Sequence, residues 1–302
     1  MWRPGSRDHL REGTARAAWL GLPRVYWVLW VGQFINRLGG FVLTFLPLYL
    51  TERHHYSDAD AGRTLALYGL GNLAGASLGG WAADHHGRRR TILTLVVFNA
   101  VVLTGFAFAP AGPLIALAAV LHGVSNGYGP AISAAVADLV APDDRKRAFG
   151  YIYQAVNLGF TFAAVVGGAL SRRGYHWLFF GDAATSLVLA AIVYRSVPET
   201  RPAHVAERPT FGASFTPFVD PRFVGFVVAQ LLTLCVFLQT FVMMPLQERA
   251  AHVSLQHVGL VAALNGVVIV TTQPLVMRLS RGLSAGALLA AAAATVSAAA
   301  LV

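Results

Sequence analysis

Charge is what this sequence lacks most. Asp, Glu, Lys and Arg make up 12% of its 302 residues, about half of the ~25% usual in soluble globular proteins, and Lys146 is the only lysine. A soluble protein of this size needs charge to cover its surface, so an ordinary soluble enzyme is excluded. Disorder is excluded as well, because disordered segments are polar and charge-rich. Cysteine is almost absent: Cys235 stands alone, so no internal disulfide can form, and its place in an apolar run reads as a buried, inert thiol. The sequence has no HExxH, no cysteine-rich metal spacing and no glycine-rich phosphate loop before a strand. No catalytic residue, metal or cofactor is therefore expected, and a membrane-embedded enzyme is a remote alternative.

What the sequence has in quantity is apolar length. Hydrophobic residues make up 56% of it, with a mean hydropathy of +0.57. A membrane crossing takes about 20 mainly apolar residues. Nine segments qualify: Trp27–Leu50, Arg63–Ala83, Ile92–Ala109, Leu114–Leu139, Phe149–Leu170, Trp177–Val197, Phe223–Leu246, Leu255–Leu279 and Leu283–Val302. Residues 1–26 are too polar for a cleaved signal peptide, so the first span serves as the insertion signal. This is an integral membrane protein, and the expected fold class is all-α, a polytopic helical bundle.

The net charge of +9 and a pI near 10.3 would suit a nucleic-acid binder, but the distribution of the basic residues explains them otherwise. With the N-terminus in the cytoplasm, seventeen of the 23 basic residues fall on the inside, among them Arg3, Arg7, Arg11, Arg16 and Arg24, the Arg88–Arg90 run and Arg145 to Arg147. Five fall outside: Arg53, Arg63, Arg172, Arg173 and Arg249. This bias sets orientation and needs no nucleic acid. Arg37 alone is left within a span.

The longest connection carries Pro198, Pro202, Pro209, Pro217 and Pro221, a density that rules out one helix across it. It divides the chain into a cytoplasmic segment 1–26, a six-helix bundle 27–197, a linker 198–222 and a partial second bundle 223–302 with three helices. A weak repeat supports two parallel halves: Gln33, Pro47-Leu48 and Glu52-Arg53 echo Gln230, Pro245-Leu246 and Glu248-Arg249, and Gly62 echoes Gly259. Val302 ends within an apolar run, so the second half is expected to be truncated.

The segment between the second and third spans is the most informative: Gly80-Trp81-Ala82-Ala83-Asp84-His85-His86-Gly87-Arg88-Arg89-Arg90. Gly87 suits a tight turn. Asp84 at a helix end and arginines at a helix start both oppose the local macrodipoles, so their partners should lie elsewhere. This segment resembles the signature loop of the major facilitator superfamily, with His85 and His86 departing from the usual basic and aromatic residues. Gly129-Pro130-Ala131 through Asp138, the Pro142–Ala148 loop and Pro198-Glu199-Thr200 are similar to the same family, and Asn36-Arg37-Leu38-Gly39 with Pro47-Leu48-Tyr49-Leu50 resembles its bacterial drug:proton antiporters. The resemblance implies alternating access. It implies an inside gate of Gly80, Asp84, Gly87, Arg88, Arg89 and Asp138, in which Arg88 pairs with Asp138 and Asp84 faces an eleventh helix. The fifth span weakens the antiport inference, because Ala163-Ala164 stand where that family's antiporter motif has Gly-Pro.

Small residues four apart (Gly71, Gly75 and Gly79; Gly123 and Gly127; Ala163 and Gly167) allow helix backbones to approach closely, in static packing or in a moving interface. Polar residues within spans are costly and mark function. Gln33, Asn36, Arg37, Gly40 and Thr44 form one stripe. Tyr153, Asn157 and Thr161 form another, and His122 with Asn126, Gln230 with Thr233 and Asn265 with Thr272 share faces. Gln33, Asn36, Arg37, Asn126, Tyr153, Asn157 and Gln230 are the expected substrate-cavity residues, against the plainer reading of interhelical hydrogen bonding. Asp182 and His122 are the candidates for proton coupling, against a helix-end carboxylate and a satisfied core histidine. The expectation is a monomeric transporter of a bacterial inner (plasma) membrane that handles a small molecule and protons. Export of small amphipathic compounds or drugs leads, and proton-coupled uptake of a sugar or organic acid is the rival.

Overall fold

The first described helix of the N-terminal unit starts at Arg24, directly after Pro23, and the chain then runs through helices joined by short turns. The computed structural model describes residues 20–171, 173–202, 210–250, 255–280 and 282–299. The chain forms two compact units, Met1–Arg208 and Pro209–Val302. Most of the N-terminal segment, the middle of the proline-rich connection and Val302 lie outside the described residues.

In the first unit the elements are α1 (Arg24–Leu38), α2 (Phe41–Leu48), a π-helical turn (Tyr49–Arg53), α3 (Asp58–His86), α4 (Arg88–Ala107), α5 (Pro113–Ser125), α6 (Tyr128–Leu139), α7 (Arg145–Ser171) and α8 (His176–Ser196). Among the described residues no strand occurs. Helix α4, the stretch Pro142–Ser171 and helix α8 are each long and apolar enough to cross a membrane. The first and fourth spans are interrupted where continuous helices were expected. Gly39 and Gly40 turn their amides to Asn36 and Arg37, three residues back, and Asn126 and Gly127 do the same to Gly123 and Val124. Glycine weakens a helix by about 1 kcal/mol relative to alanine, and three of these four residues are glycine. The second span is longer than expected because Ser57 caps it: the Ser57 hydroxyl accepts the Asp60 amide at 3.1 Å and donates to the Asp60 carboxylate at 2.7 Å.

Helices α3 and α5 pack backbone against backbone. A Cβ on Gly71 would strike Val120, one on Gly75 would strike Val124, and one on Gly79 would strike Gly127. Gly123 meets Tyr68 and Gly71 in return. Outward-facing apolar side chains such as Leu70, Leu73, Val101 and Leu117 stay exposed, as suits a lipid-facing surface.

The buried side chains form two large apolar cores. One gathers Tyr26 and Leu29 of α1, Ile92 and Val96 of α4, Tyr128, Ala131 and Ile132 of α6, and Leu189 and Val193 of α8. The other gathers Val42 and Leu46 of α2, Leu103 and Phe106 of α4, Ile115 and Ala119 of α5, and Phe179 and Ala183 of α8. Helices α4 and α8 serve both cores, and buried polar residues lie at or near the junction of their two sets: Asn99 on α4 and Ser186 on α8 between the sets, and Asp182 on α8 next to Ala183. Both interrupted spans break at that same level.

The second unit holds a 3₁₀ segment (Phe211–Val219), α9 (Pro221–Ala250), α10 (Leu255–Leu279) and α11 (Ala285–Ala299). Cys235 on α9 is exposed rather than buried, on a stretch where Leu231, Leu232 and Leu234 are exposed too.

Candidate functional site

The polar layer of the first unit borders a partly open cavity of about 40 Å³, room for on the order of three waters. Asn36, Arg37, Gly40, Leu43, Tyr68, Asn99, His122, Asn126, Tyr128, Phe160 and Asp182 line it. Sequence reasoning named Asn36, Arg37, Asn126, His122 and Asp182 from three different spans, and all five border this one cavity.

The neutral groups satisfy one another. Asn36 Nδ2 donates to Ser186 Oγ at 3.2 Å, and its Oδ1 accepts the Tyr128 hydroxyl at 2.7 Å. Asn99 Nδ2 donates to the same serine at 3.0 Å. Asn99 Oδ1 lies 2.9 Å from His122 Nδ1 and 2.6 Å from Ser125 Oγ. With Oδ1 as the acceptor, His122 carries its hydrogen on Nδ1 and keeps Nε2 as a base. Asn126 Nδ2 returns to the His122 carbonyl at 2.9 Å.

The charged groups are not satisfied in this way. Arg37 lies with its guanidinium carbon 6.0 Å from the Tyr128 ring centroid and 5.8 Å from that of Phe160, close enough for cation–π attraction. Its Nε is buried without a hydrogen-bond partner. Asp182 is 7% exposed. Among the described residues its carboxylate makes no hydrogen bond, and it forms no ion pair with Arg37. The backbone beside both charged residues is closely packed: a Cβ on Gly39 would come within 3.0 Å of Asp182 Cα, and one on Gly159 within 2.5 Å of Arg37 Cβ.

The other expected cavity residues do not border this cavity. Gln33 is buried on α1 with Oε1 unpartnered. Tyr153 is 47% exposed, and Asn157 turns its amide back to the Tyr153 carbonyl at 2.8 Å. Gln230 is exposed on α9, in the second unit. Asn99, Tyr68 and Ser186 were missed. Asn99 is a single polar residue on its face, and only partners on other helices give it meaning; Ser186 lies one turn beyond Asp182, a spacing that could have marked it.

A second polar cluster sits at the end of the first unit where α3 passes into α4. Gly87 makes the turn with φ +102°, and a Cβ there would collide with the Glu199 carboxylate. Arg88 Nη1 reaches Asp84 Oδ1 at 2.5 Å and its Nε reaches Asp138 Oδ2 at 3.2 Å. The partners that the opposed macrodipoles called for are thus present. Glu199 accepts the Arg88 amide at 2.8 Å, a cap on α4 supplied from beyond α8. Arg201 donates to the carbonyls of Asp84 and His85 at 3.1 and 2.6 Å, covering the end of α3. Thr200 lies 3.5 Å from Asp138 Oδ2. Arg89 donates to the Tyr194 carbonyl and lies 5.3 Å from that ring's centroid. Gly80 faces Pro130 Cβ at 4.0 Å, and His85 stacks on Trp81 with centroids 4.5 Å apart. At the far end of the unit, Tyr175 donates to Glu52 at 2.6 Å. Burial, then that bond, pushes the Tyr175 hydroxyl above its usual range. Among the described residues no group of His, Cys, Asp and Glu could hold a metal ion.

Comparison with known proteins agrees with this architecture. The family model described as Major Facilitator Superfamily matches residues 29–302. The chain is 30% identical over 187 residues to the uncharacterized MFS-type transporter YhjO of Bacillus subtilis (strain 168), covering 61% of this chain and 47% of that protein. It is 27% identical over 169 residues to multidrug resistance protein 2 of the same organism, covering 55% and 42%. Among solved structures, the human organic anion transporter MFSD10 aligns with a TM-score of 0.65 at 20% identity, covering 83% of this chain and 71% of that one. The chain spans less than half the length of the curated relatives it matches.

Proposed function

Because the chain belongs to the Major Facilitator Superfamily, a family of transporters and not enzymes, we propose that it works by alternating access and exports small amphipathic compounds in exchange for protons. It does so from a bacterial inner membrane, with its N-terminus in the cytoplasm. The observation that carries this reading is the polar layer between two apolar cores, where Arg37 and Asp182 face one cavity. A charge at that depth is expensive and serves a substrate or ion pathway. The multidrug resistance relative favours export.

In this reading Asn36, Arg37 and Asn126 contact the substrate, with Gln33, Tyr153, Asn157 and Gln230 along its route. Asp182 carries the proton, and His122 Nε2 is the second acceptor. Asp84, Arg88, Arg89 and Asp138, around the turn from Gly80 to Gly87, lock the cytoplasmic end. The Arg88 contacts to Asp84 and Asp138 would break as that end opens.

The test is uptake of a fluorescent amphipathic dye into everted membrane vesicles under an imposed pH gradient. Wild type should accumulate dye until nigericin collapses the gradient. Asp84→Asn should slow accumulation at least tenfold at equal membrane abundance. Wild-type turnover in that variant would remove the gate. Gradient-driven accumulation by intact cells instead would replace export with uptake of a sugar or organic acid.

A further inference from the structure

The hydrogen-bond accounting of the cavity leaves an unusual remainder. Its amides, its imidazole Nδ1 and the hydroxyls of Tyr128 and Ser125 are consumed by one another. Left over among the charged groups are one cation and one carboxylate, beside the neutral His122 Nε2: Arg37, whose Nε is buried without a partner, and Asp182, more than nine-tenths buried with no hydrogen bond to its carboxylate among the described residues. Both line the same cavity, yet they form no ion pair with each other. Two opposite charges this deep would normally close on one another, because breaking a buried pair leaves each uncompensated. Here Gly39 packs close to Asp182 Cα and Gly159 close to Arg37 Cβ, so each residue is seated by its own backbone contacts while the two side chains stay unpaired.

A ligand that completes such a site must bring an anion for Arg37 and a cation for Asp182. A simple organic cation would satisfy Asp182 and leave Arg37 repelling it. A simple anion would do the reverse. We infer that the cavity selects amphipathic zwitterions with a compact head, whose carboxylate binds Arg37 and whose ammonium binds Asp182, with an apolar body against Phe160 and Leu43. The cavity's volume of about 40 Å³ suits a head whose two charges are a few atoms apart, which would displace on the order of three waters. The inference rests on the transport reading above and specifies its substrate. A proton arriving on Asp182 removes the ammonium's partner, so proton and substrate compete for one carboxylate, as exchange requires.

The experiment is a ligand-observed NMR titration of the full chain in lipid nanodiscs with three probes sharing one phenyl body: phenylalanine (zwitterion), its methyl ester (cation) and 3-phenylpropanoate (anion). The wild-type protein should bind phenylalanine at least tenfold more tightly than either of the others. Arg37→Gln should weaken phenylalanine and 3-phenylpropanoate ten- to hundredfold and leave the ester unchanged or tighter. Asp182→Asn should weaken phenylalanine and the ester and spare 3-phenylpropanoate. Equal affinity of the wild-type protein for all three probes overturns the inference, and so does equal weakening of all three by either substitution. The wild-type series decides alone if a variant fails to fold. Pair-selective binding without gradient-driven dye uptake would remove the transport reading and keep the zwitterion site. Dye uptake without zwitterion preference would do the opposite.

Discussion

Replacing Gly75 by alanine tests whether the glycine seam between α3 and the interrupted fourth span is a fixed joint. A Cβ at Gly75 would lie 2.7 Å from Val124 Cα and 2.8 Å from its carbonyl carbon, closer still to the carbonyl oxygen, where ordinary contact begins at 3.4 Å. The obstacle is main chain, which cannot rotate aside, and Gly127 presses on Gly75 from the other direction. The helices would have to part by more than half an ångström along a seam that also includes Gly71, Gly79 and Gly123. Overpacking of this kind costs about 1–3 kcal/mol, and unyielding backbone puts this site at the upper end. The helix-propensity gain of about 1 kcal/mol for Gly→Ala offsets part of it, for a net loss near 2 kcal/mol. Gly69 lies on the same helix with nothing within 4 Å of its Cβ position, so Gly69→Ala should gain up to about 1 kcal/mol. Reversible unfolding of both variants in mixed detergent micelles, followed by circular dichroism, should separate them by about 3 kcal/mol. Equal stability of the two variants would refute a rigid seam and return these glycines to a sliding interface.

Glu199→Ala removes the cap on α4 and should cost about 1 kcal/mol locally, seen as roughly fivefold faster hydrogen exchange at the amides of residues 88–91; unchanged exchange would show that Glu199 caps nothing. Asn99→Ala removes three interhelical bonds, to His122 Nδ1, Ser125 and Ser186, and at about 0.6 kcal/mol per interhelical bond the loss should approach 2 kcal/mol in the same micelle unfolding. A loss within error would mean the network is ornamental to stability. Hydrogen bonding from Ser57, then the charge of Arg63, holds the exposed Asp60 carboxyl below its ordinary range. A depressed folded-state pKa stabilises above the unfolded value and is lost as pH falls through the folded one. Amides at the start of α3 should therefore exchange faster relative to the chemical rate on acidification below about pH 4. Ser57→Ala should flatten that dependence, and an unaltered profile would count against the cap.

Apolar length made the helices legible, and single-helix periodicity made Asn36, Arg37, His122 and Asn126 conspicuous, because a polar side chain in a span stands out against its neighbours. Hydropathy could not show that the first and fourth spans break. Gly39, Gly40 and Gly127 are nearly neutral on any apolar scale, and the break depends on amides finding carbonyls three residues back. Asn99 stayed hidden because its three partners sit on α5 and α8, distant in sequence and on no common face. Glu199 stands out in the sequence only as part of the family-like Pro198-Glu199-Thr200. Its service to Arg88 crosses 111 residues, and no local rule reports that. The turn at Gly87 was legible because a positive φ narrows the choice of residue.

Each interrupted span is anchored twice, with α1 and α6 in one apolar core and α2 and α5 in the other. A change in the cavity's size would therefore have to be taken up at Gly39–Gly40 and at Asn126–Gly127, against the close approaches of Gly39 to Thr185 and of Gly127 to Gly75. The polar layer is the seam between two packed plates, at the depth where the unpaired charges lie. Stiffening those two joints would leave the folded unit standing while locking the cavity at one size.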